Sequence, residues 1–216
     1  TLTAADNGSS PLVRSRNPST SPTRFVPQLS TVLAGTVDNQ EKLPVLGRSW
    51  PWRVTVRDNR AGGGGVNTAD TTVTVAGAAG PFRVTSQTTS TTWPIGSSQT
   101  VTWDVAGTTA NGVNTTNVAI ELTTNGGATW TALVTSTPND GTHTFTVAGS
   151  PTTSGRLRVR AISNIYYAVA SGTISLTGTP AGVVLAPVGS PVVADPIGTG
   201  NNNGNGRVDS GENAIV

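Results

Sequence analysis

The stretch NVAIELTTNGGATWTALVT, residues 117–135, indicates most directly how this chain folds. Val118, Ile120 and Leu122 alternate with other residues in its first half, so their side chains would lie on one face of a β-strand. The Asn-Gly-Gly at 125–127 favours a tight turn with positive φ, and the TWTALVT that follows is rich in β-forming residues. The stretch therefore predicts two antiparallel strands joined as a hairpin.

The same alternation recurs along the chain between turn residues, while helical periodicity is almost absent. Strands are predicted at residues 52–58, 71–77, 98–105, 117–124, 129–135, 142–149 and 156–162. Short strands at intervals of about ten residues are typical of antiparallel sandwiches rather than of parallel sheets. The predicted fold class is all-β, in the form of tandem Ig-like or fibronectin-III-like antiparallel β-sandwiches.

Small residues and prolines mark two boundaries, AGAAGPF at 76–82 and GTPAG further along the chain. Residues 80–178, between them, supply about seven strands, which is enough for a complete sandwich. Residues 1–77 supply only two strands after an irregular run, so we expect a partial sandwich whose opening strands are missing or supplied by a partner chain. Residues 183–216 are expected to be a linker and the start of a further β-module.

The composition excludes several kinds of site. Charged residues make up only 11% of the chain, and the absence of cysteine excludes disulfides, thiolate metal sites and a cysteine nucleophile. The basic residues are scattered, and Arg14, Arg16 and Arg24 come closest to a cluster that could hold an anionic ligand. Nucleic-acid binding is not expected, because it needs a clustered basic face. The sequence contains no run of about 20 apolar residues, so no membrane-spanning helix is predicted.

No catalytic motif is present, so we expect that this chain is not itself an enzyme and holds no zinc. His143 is the only histidine, and neither HExxH nor G-x-S-x-G occurs. The glycines at 62–65 are not followed by the Lys-Ser/Thr pair that ends a phosphate-binding loop, so they predict a flexible hairpin loop. Trp103 is expected in the core, whereas Trp93 and Trp130 are candidates for an exposed pair that binds carbohydrate.

The best chemical signal is NNNGNGRVDSGE, residues 201–212, which has the spacing of an EF-hand-type calcium loop with Gly206 at the turn. The candidate ligands are the side chains of Asn201, Asn203, Asn205, Asp209 and Glu212 and the backbone carbonyl of Arg207. Only two of them are carboxylates, so we expect weak binding of a structural Ca²⁺. The alternative is a linker of Asn-Gly repeats. A weaker ion candidate is Asp58 with Asn59 and Asp70, for which turn capping is the alternative.

The strings RDNRAGGGG (57–65) and TVTWDVAGT (100–108) lie within a stretch, residues 5–170, that resembles the region downstream of the catalytic domain in secreted bacterial reprolysin-like zinc metalloproteases. The resemblance implies that residues 1–77 are the later part of a cadherin- or PKD-like sandwich. It also implies a parent protein that is a zinc metalloendopeptidase, although the zinc-binding helix has no counterpart here. We therefore expect a secreted or cell-surface bacterial protein, of which this chain is one part.

Two functions are compatible with these features. The first is a non-catalytic spacer, adhesion or substrate-binding region of a metalloprotease-like protein, with neighbouring β-modules of the same polypeptide, a polysaccharide or a protein polymer as partners. The second is a structural subunit of an extracellular filament or adhesin, in which identical chains join by β-strand complementation. In the second, VVLAPVGSPVV (183–193) or ENAIV (212–216) of one chain would complete residues 1–77 of the next.

The calcium loop predicts that calcium raises the thermal stability of the chain, because an ion that binds only the folded state opposes unfolding by mass action. The effect should depend on Asp209 and Glu212. Melting curves in a chelator and in calcium at about millimolar concentration, the range of extracellular modules, are the measurement. Identical curves in the two solutions would show that these residues form only a linker.

Overall fold

Eleven β-strands and one short α-helix form the secondary structure of residues 5–178, the part of the chain that the computed structural model describes. The helix is α1 (Leu29–Ala34), and the strands are β1 (Arg48–Arg57), β2 (Val66–Val75), β3 (Arg83–Val84), β4 (Thr91–Pro94), β5 (Ser98–Asp104), β6 (Asn117–Thr123), β7 (Thr131–Pro138), β8 (Thr142–Thr146), β9 (Thr152–Ala161), β10 (Tyr167–Val169) and β11 (Ile174–Thr177). Residues 5–178 are therefore mostly β with almost no helix, and each of the seven predicted strands is present. The described residues belong to one compact unit, Thr1–Ala181, and a second unit, Gly182–Val216, lies outside them.

The larger sheet is built around β9. Its strand order is β4-β11-β9-β6-β7, and β10 also pairs with β9. One edge of β9 pairs with β6 from Arg156 to Ala161, and the other edge pairs with β11 at Gly155 and with β10 from Arg158 to Arg160. These pairs are antiparallel, whereas β11 pairs with β4 in parallel, so the sheet is mixed.

A second sheet, β3-β5-β8, shares one hydrophobic core with the larger sheet. Leu157, Val159 and Ala161 of β9 are fully buried, because a strand turns every second side chain toward the same face. The buried residues of this core are Trp93, Val101, Trp103, Val118, Ile120, Leu122, Val147, Leu157, Val159, Ala170, Ile174 and Leu176. Trp103 is confirmed as a core residue, and its indole Nε1–H donates to Asn139 Oδ1 at 2.8 Å.

The predicted hairpin at 117–135 is confirmed as β6 and β7, which pair antiparallel. Gly126 and Gly127 have φ of 68° and 87°, in agreement with the turn chemistry. The backbone N–H of Gly127 donates to Thr123 Oγ1 at 2.9 Å. A Cβ on Gly127 would lie 2.6 Å from Leu29 Cδ2, so α1 packs closely against this turn.

Residues 5–47 contain no strand and contact the larger sheet at β10 and at the turn between β6 and β7. The Phe25 ring meets Tyr167 of β10 edge-on, with the ring centroids 5.8 Å apart. Within the segment, Val13 and Glu41 form an isolated antiparallel bridge. The next strands, β1 and β2, pair only with each other among the described residues. The division of the chain into a partial module 1–77 and a complete module 80–178 stays a prediction.

Gly172, between β10 and β11, occupies a space that has no room for a side chain. An added Cβ would lie 2.0 Å from Thr89 O and 2.6 Å from Gln87 O, and the Gly172 N–H donates to Gln87 O at 2.9 Å. Gly172→Ala should therefore lower the free energy of unfolding by on the order of 3 kcal/mol, because these backbones would have to move apart. Urea denaturation measures the change.

The matched control is the neighbouring exposed residue, in the variant Ser171→Ala. It loses only the hydrogen bond from the Ser171 hydroxyl to Thr88 O, 2.9 Å long. The expected cost is about 1 kcal/mol or less. Equal unfolding midpoints for the two variants would contradict the close packing described for Gly172.

Candidate functional site

The β1–β2 hairpin has one apolar face and one polar face. Trp52 lies opposite Thr71, and Val54 lies opposite Ala69, in an antiparallel register without a shift. Opposite residues point to the same face and successive residues alternate, so the register determines which side chains share a face. The members of the apolar face are Trp50, Trp52, Val54, Val56, Ala69, Val73 and Val75. The polar face carries several threonines and the pair Arg53 and Asp70.

The apolar face is half-buried at the base of the hairpin and exposed toward its tip. Trp50 and Trp52 are half-buried and pack edge to face, with ring centroids 4.8 Å apart, and the Arg24 guanidinium lies 5.4 Å from the Trp52 ring centroid. Val54 and Val56, further along β1, are 57% and 63% exposed. They line a shallow groove together with residues 67–69. A contiguous apolar surface of this kind is a candidate for contact with another molecule.

The two edges of the hairpin are open within residues 5–178, but they differ. The Asp58 N–H donates to Gly65 O at 3.3 Å and continues the register, so the even-numbered residues of β1 hydrogen-bond to β2. The odd-numbered residues of β1 and the even-numbered residues of β2 then direct their backbone groups outward. On β1 the outward series includes Pro51, which has no N–H to offer. On β2 it consists of Val66, Thr68, Asp70, Thr72 and Thr74 and contains no proline.

This difference between the edges is a feature that sequence reasoning missed. The signal was present in WPWRVTVR, where a proline interrupts an otherwise strong strand pattern at Pro51. Only the register decides whether that proline faces the partner strand or the open edge. Once the register is known, β2 is the better template for an added strand.

The structure does not bring the weaker ion candidates together. Asp58, at the tip, accepts hydrogen bonds from the backbone N–H groups of Gly65 at 3.0 Å and Arg60 at 3.1 Å, and these bonds lower its pKa. Asp70 lies opposite Arg53 and accepts two hydrogen bonds from its guanidinium, at 2.7 and 2.8 Å, which lower the Asp70 pKa. Asp58 lies five positions beyond Arg53, a distance of about 17 Å along a strand. The geometry favours turn capping here, and the ion site with Asp58, Asn59 and Asp70 stays a prediction.

The expectation that Trp93 and Trp130 form an exposed pair is wrong for Trp93. Its side chain is 1% exposed and packs against Phe145, because β4 joins the larger sheet beside β11 and turns this position inward. Trp130 is half-buried, and the Arg158 guanidinium lies 4.0 Å from its ring centroid. One ring face of Trp130 is thus occupied within the protein, and the two indoles do not form a shared platform for a carbohydrate.

A buried carboxylate cross-links the segment that precedes the hairpin. Glu41 has a side chain with 0% exposure, and it accepts hydrogen bonds from Arg16 Nε at 3.1 Å, Arg24 Nη2 at 2.6 Å and the Gln28 N–H at 2.8 Å. Burial raises the pKa of Glu41, but the bonds from the two arginines outweigh it and leave the pKa lowered. Two arginines of the predicted cluster are therefore neutralised internally, and the Arg14 carbonyl accepts a bond from Arg24 Nη2 at 2.9 Å.

The remaining predictions fall in other places. The calcium loop at 201–212 lies outside the described residues. Within residues 5–178, no group of three or more acidic or histidine side chains is placed to hold a metal ion, and no helix is long and apolar enough to cross a membrane. His143 is half-buried on β8, and its Nδ1 lies 2.8 Å from Thr137 Oγ1. No family model matches this sequence, and the comparison with curated proteins found no match.

Glu41 predicts a large loss of stability on substitution. Glu41→Gln removes the buried charge that accepts bonds from Arg16 and Arg24, whose side chains are 25% and 37% exposed, so the free energy of unfolding should fall by about 2–3 kcal/mol. The control is Asp70→Asn, which breaks an ion pair of similar geometry whose side chains are 65% and 62% exposed. An exposed pair should contribute about 1 kcal/mol or less. Similar losses in the two variants would contradict the role assigned to Glu41.

The same carboxylate predicts a pH dependence. Because the folded pKa of Glu41 is lowered, its contribution to stability is complete above its ordinary value of 4.5 and is lost as the pH falls through the folded value. The difference in stability between the wild type and Glu41→Gln should therefore narrow below a pH of about 4.5. Thermal unfolding of both proteins from neutral to acidic pH checks this, and a constant difference would contradict it.

Proposed function

We propose that this chain is a non-catalytic structural region of a secreted or cell-surface bacterial protein, and that its β1–β2 hairpin docks onto a neighbouring β-module. The exposure of Val54 and Val56 on one face of the hairpin, 57% and 63%, carries this proposal. A two-stranded hairpin is only marginally stable by itself in water. A neighbouring strand or sheet would bury the two valines and complete the hydrogen bonding of an edge.

We also propose that residues 80–178 are an Ig-like or fibronectin-III-like sandwich. Two sheets on a single core and mostly antiparallel pairing support this identity. The burial of Trp103 on β5 supports it further, because such sandwiches pack a tryptophan in their core. A filled sandwich of this kind suits a rigid spacer.

The neighbouring module belongs, in this proposal, to the same polypeptide. The support is the resemblance of residues 5–170 to the region that follows the catalytic domain in secreted metalloproteases. The ion pairs of Glu41 hold the segment before the hairpin and suit a spacer that keeps its docking face in a fixed place. A polysaccharide or protein polymer bound by the parent protein would then be held at a set distance from its catalytic domain.

A second candidate function is a subunit of an extracellular filament or adhesin made of identical chains. The observation that favours it is the outward edge of β2, which carries backbone groups from Val66 to Thr74 without a proline. Open edges of this kind are templates for pairing with another chain. The two candidates share the docking face and differ in what covers it.

Both candidate functions require that the hairpin docks onto a neighbour, and hydrogen exchange of the hairpin amides tests this. In the dilute chain the β1–β2 amides should exchange much faster than those of β6 and β9, because the hairpin tip lacks support from a core. A filament subunit should gain protection at high concentration. A spacer should gain it when the chain is extended by the polypeptide that precedes it in the parent protein. Absence of protection in both cases would refute the docking role.

The matched variants separate the docking face from general surface hydrophobicity. Val54→Lys combined with Val56→Lys should abolish the added protection, since two charges cannot be buried against a neighbour without partners. Ile165→Lys changes a residue that is 75% exposed and lies outside the hairpin. It should leave the protection unchanged, and equal effects of the two sets of variants would count against the hairpin as the docking face.

A further inference from the structure

We propose that the β2 edge of the hairpin accepts residues 183–193 of a second copy of this chain as an added antiparallel strand. This inference rests on the second candidate function, the assembly of identical chains, and names the edge and the segment that would join them. The segment is VVLAPVGSPVV, and it lies outside the described residues. It matches β2 in length, with eleven residues against ten.

The acceptor edge is selected by its backbone. Pro51 removes a donor from the outward series of β1, whereas β2 presents Asp70, Thr72 and Thr74 without interruption. At Thr68 the outward N–H is taken by Asn67 Oδ1 at 2.9 Å. The acceptor surface therefore centres on Asp70 to Thr74, beside the half-buried base of the apolar face.

The donor segment is selected by the spacing of its prolines. Pro187 and Pro191 are four residues apart, so in an extended strand they point the same way. If both point away from β2, the N–H groups of Ala186, Val188 and Ser190 all face it. A strand that pairs along only one edge tolerates prolines in this arrangement. A central strand, which pairs on both edges, would not.

The side chains and the charge of the segment are also compatible with an added strand whose prolines point away from β2. Residues that pair with the outward groups of β2 share its polar face, so the odd-numbered residues of the segment fall on the apolar face. In the register that pairs Ala186 with Thr72, Leu185 would lie beside the half-buried Val73. The segment carries no charge, and the one charged side chain on the β2 edge, Asp70, is already paired with Arg53. The added strand would leave no unpaired charge.

One chain that carries both a donor segment and an acceptor edge makes head-to-tail contacts, which extend into an open assembly unless the rotation closes a ring. Sedimentation velocity of the full chain over a range of concentrations should therefore show growing oligomers. Thr72→Pro removes an outward N–H of β2 without touching the β1–β2 ladder, and Leu185→Asp places a charge on the apolar face. Each variant should weaken self-association at least about tenfold.

The matched control for the edge is Thr55→Pro, which removes an outward N–H from β1 and should leave the association unchanged. An equimolar mixture of Thr72→Pro chains with Leu185→Asp chains should form heterodimers, because the first retains its donor and the second its acceptor. A mixture that stays monomeric would show that the segment and the β2 edge do not join two chains, and the inference would be wrong.

A synthetic peptide of residues 183–193 covers the case in which Thr72→Pro fails to fold. Added to the unmodified chain, the peptide should inhibit oligomer growth. A control peptide with Pro187 and Val188 exchanged, and Pro191 and Val192 exchanged, turns the prolines toward the acceptor and should not inhibit. Equal inhibition by both peptides would overturn the inference.

Other outcomes distinguish the inference from the proposed function. One such outcome is that oligomers persist in the presence of the native peptide and in Thr72→Pro but are lost in Val54→Lys with Val56→Lys. That result would show that the hairpin face makes the contact and that no strand is added to β2. A chain that stays monomeric at every concentration would overturn the inference. The proposed spacer would still be judged separately, by hydrogen exchange in the longer polypeptide.

Discussion

The ion pair between Glu121 of β6 and Arg158 of β9 allows the larger sheet to be covered on both faces. The two residues lie opposite each other in the register, with Arg158 Nε 2.6 Å from Glu121 Oε2. They are 7% and 8% exposed, and an unpaired charge so placed would cost several kcal/mol (about 3–5). Arg160 adds further bonds to the same carboxylate, and Arg158 stacks on Trp130. Because these charges are satisfied, this face of β6 and β9 can be buried beneath the rings of Trp130 and Tyr167, and Phe25 of the preceding segment packs on Tyr167.

The segment over that face is held by carboxylates more than by a core. Leu12 is its one fully buried apolar residue within the described part of the chain. Glu41 gathers two arginines, and Asp6 accepts bonds from the N–H groups of Val45 and Leu46 and from the Arg48 guanidinium. Arg48 is the first residue of β1, so these bonds fix where the hairpin begins. The bonds from Asp6 hold the base of the hairpin and do not reach Val54.

Local patterns in the sequence were sufficient for the long strands and the main hairpin, because alternation and Asn-Gly-Gly act within a few residues. They did not predict β3, β4, β10 and β11, which have two to four residues each and too little alternation to recognise. The helix α1 has six residues and no side-chain cap at Gln28, so its sequence carries no start signal. Trp93 was placed wrongly because its burial depends on pairing with β11, about 80 residues later in the chain. The candidate site itself, an open edge, is visible only once the register is known.

The two edges of the hairpin support the proposed assembly more directly than its exposed valines do. Proteins that remain monomeric protect open edges with prolines, charges or covering segments. Here Pro51 protects β1, while the outward residues of β2 include three threonines and a single acid that is already paired with Arg53. Protection of one edge only is what a protein needs when it joins its neighbours in one direction.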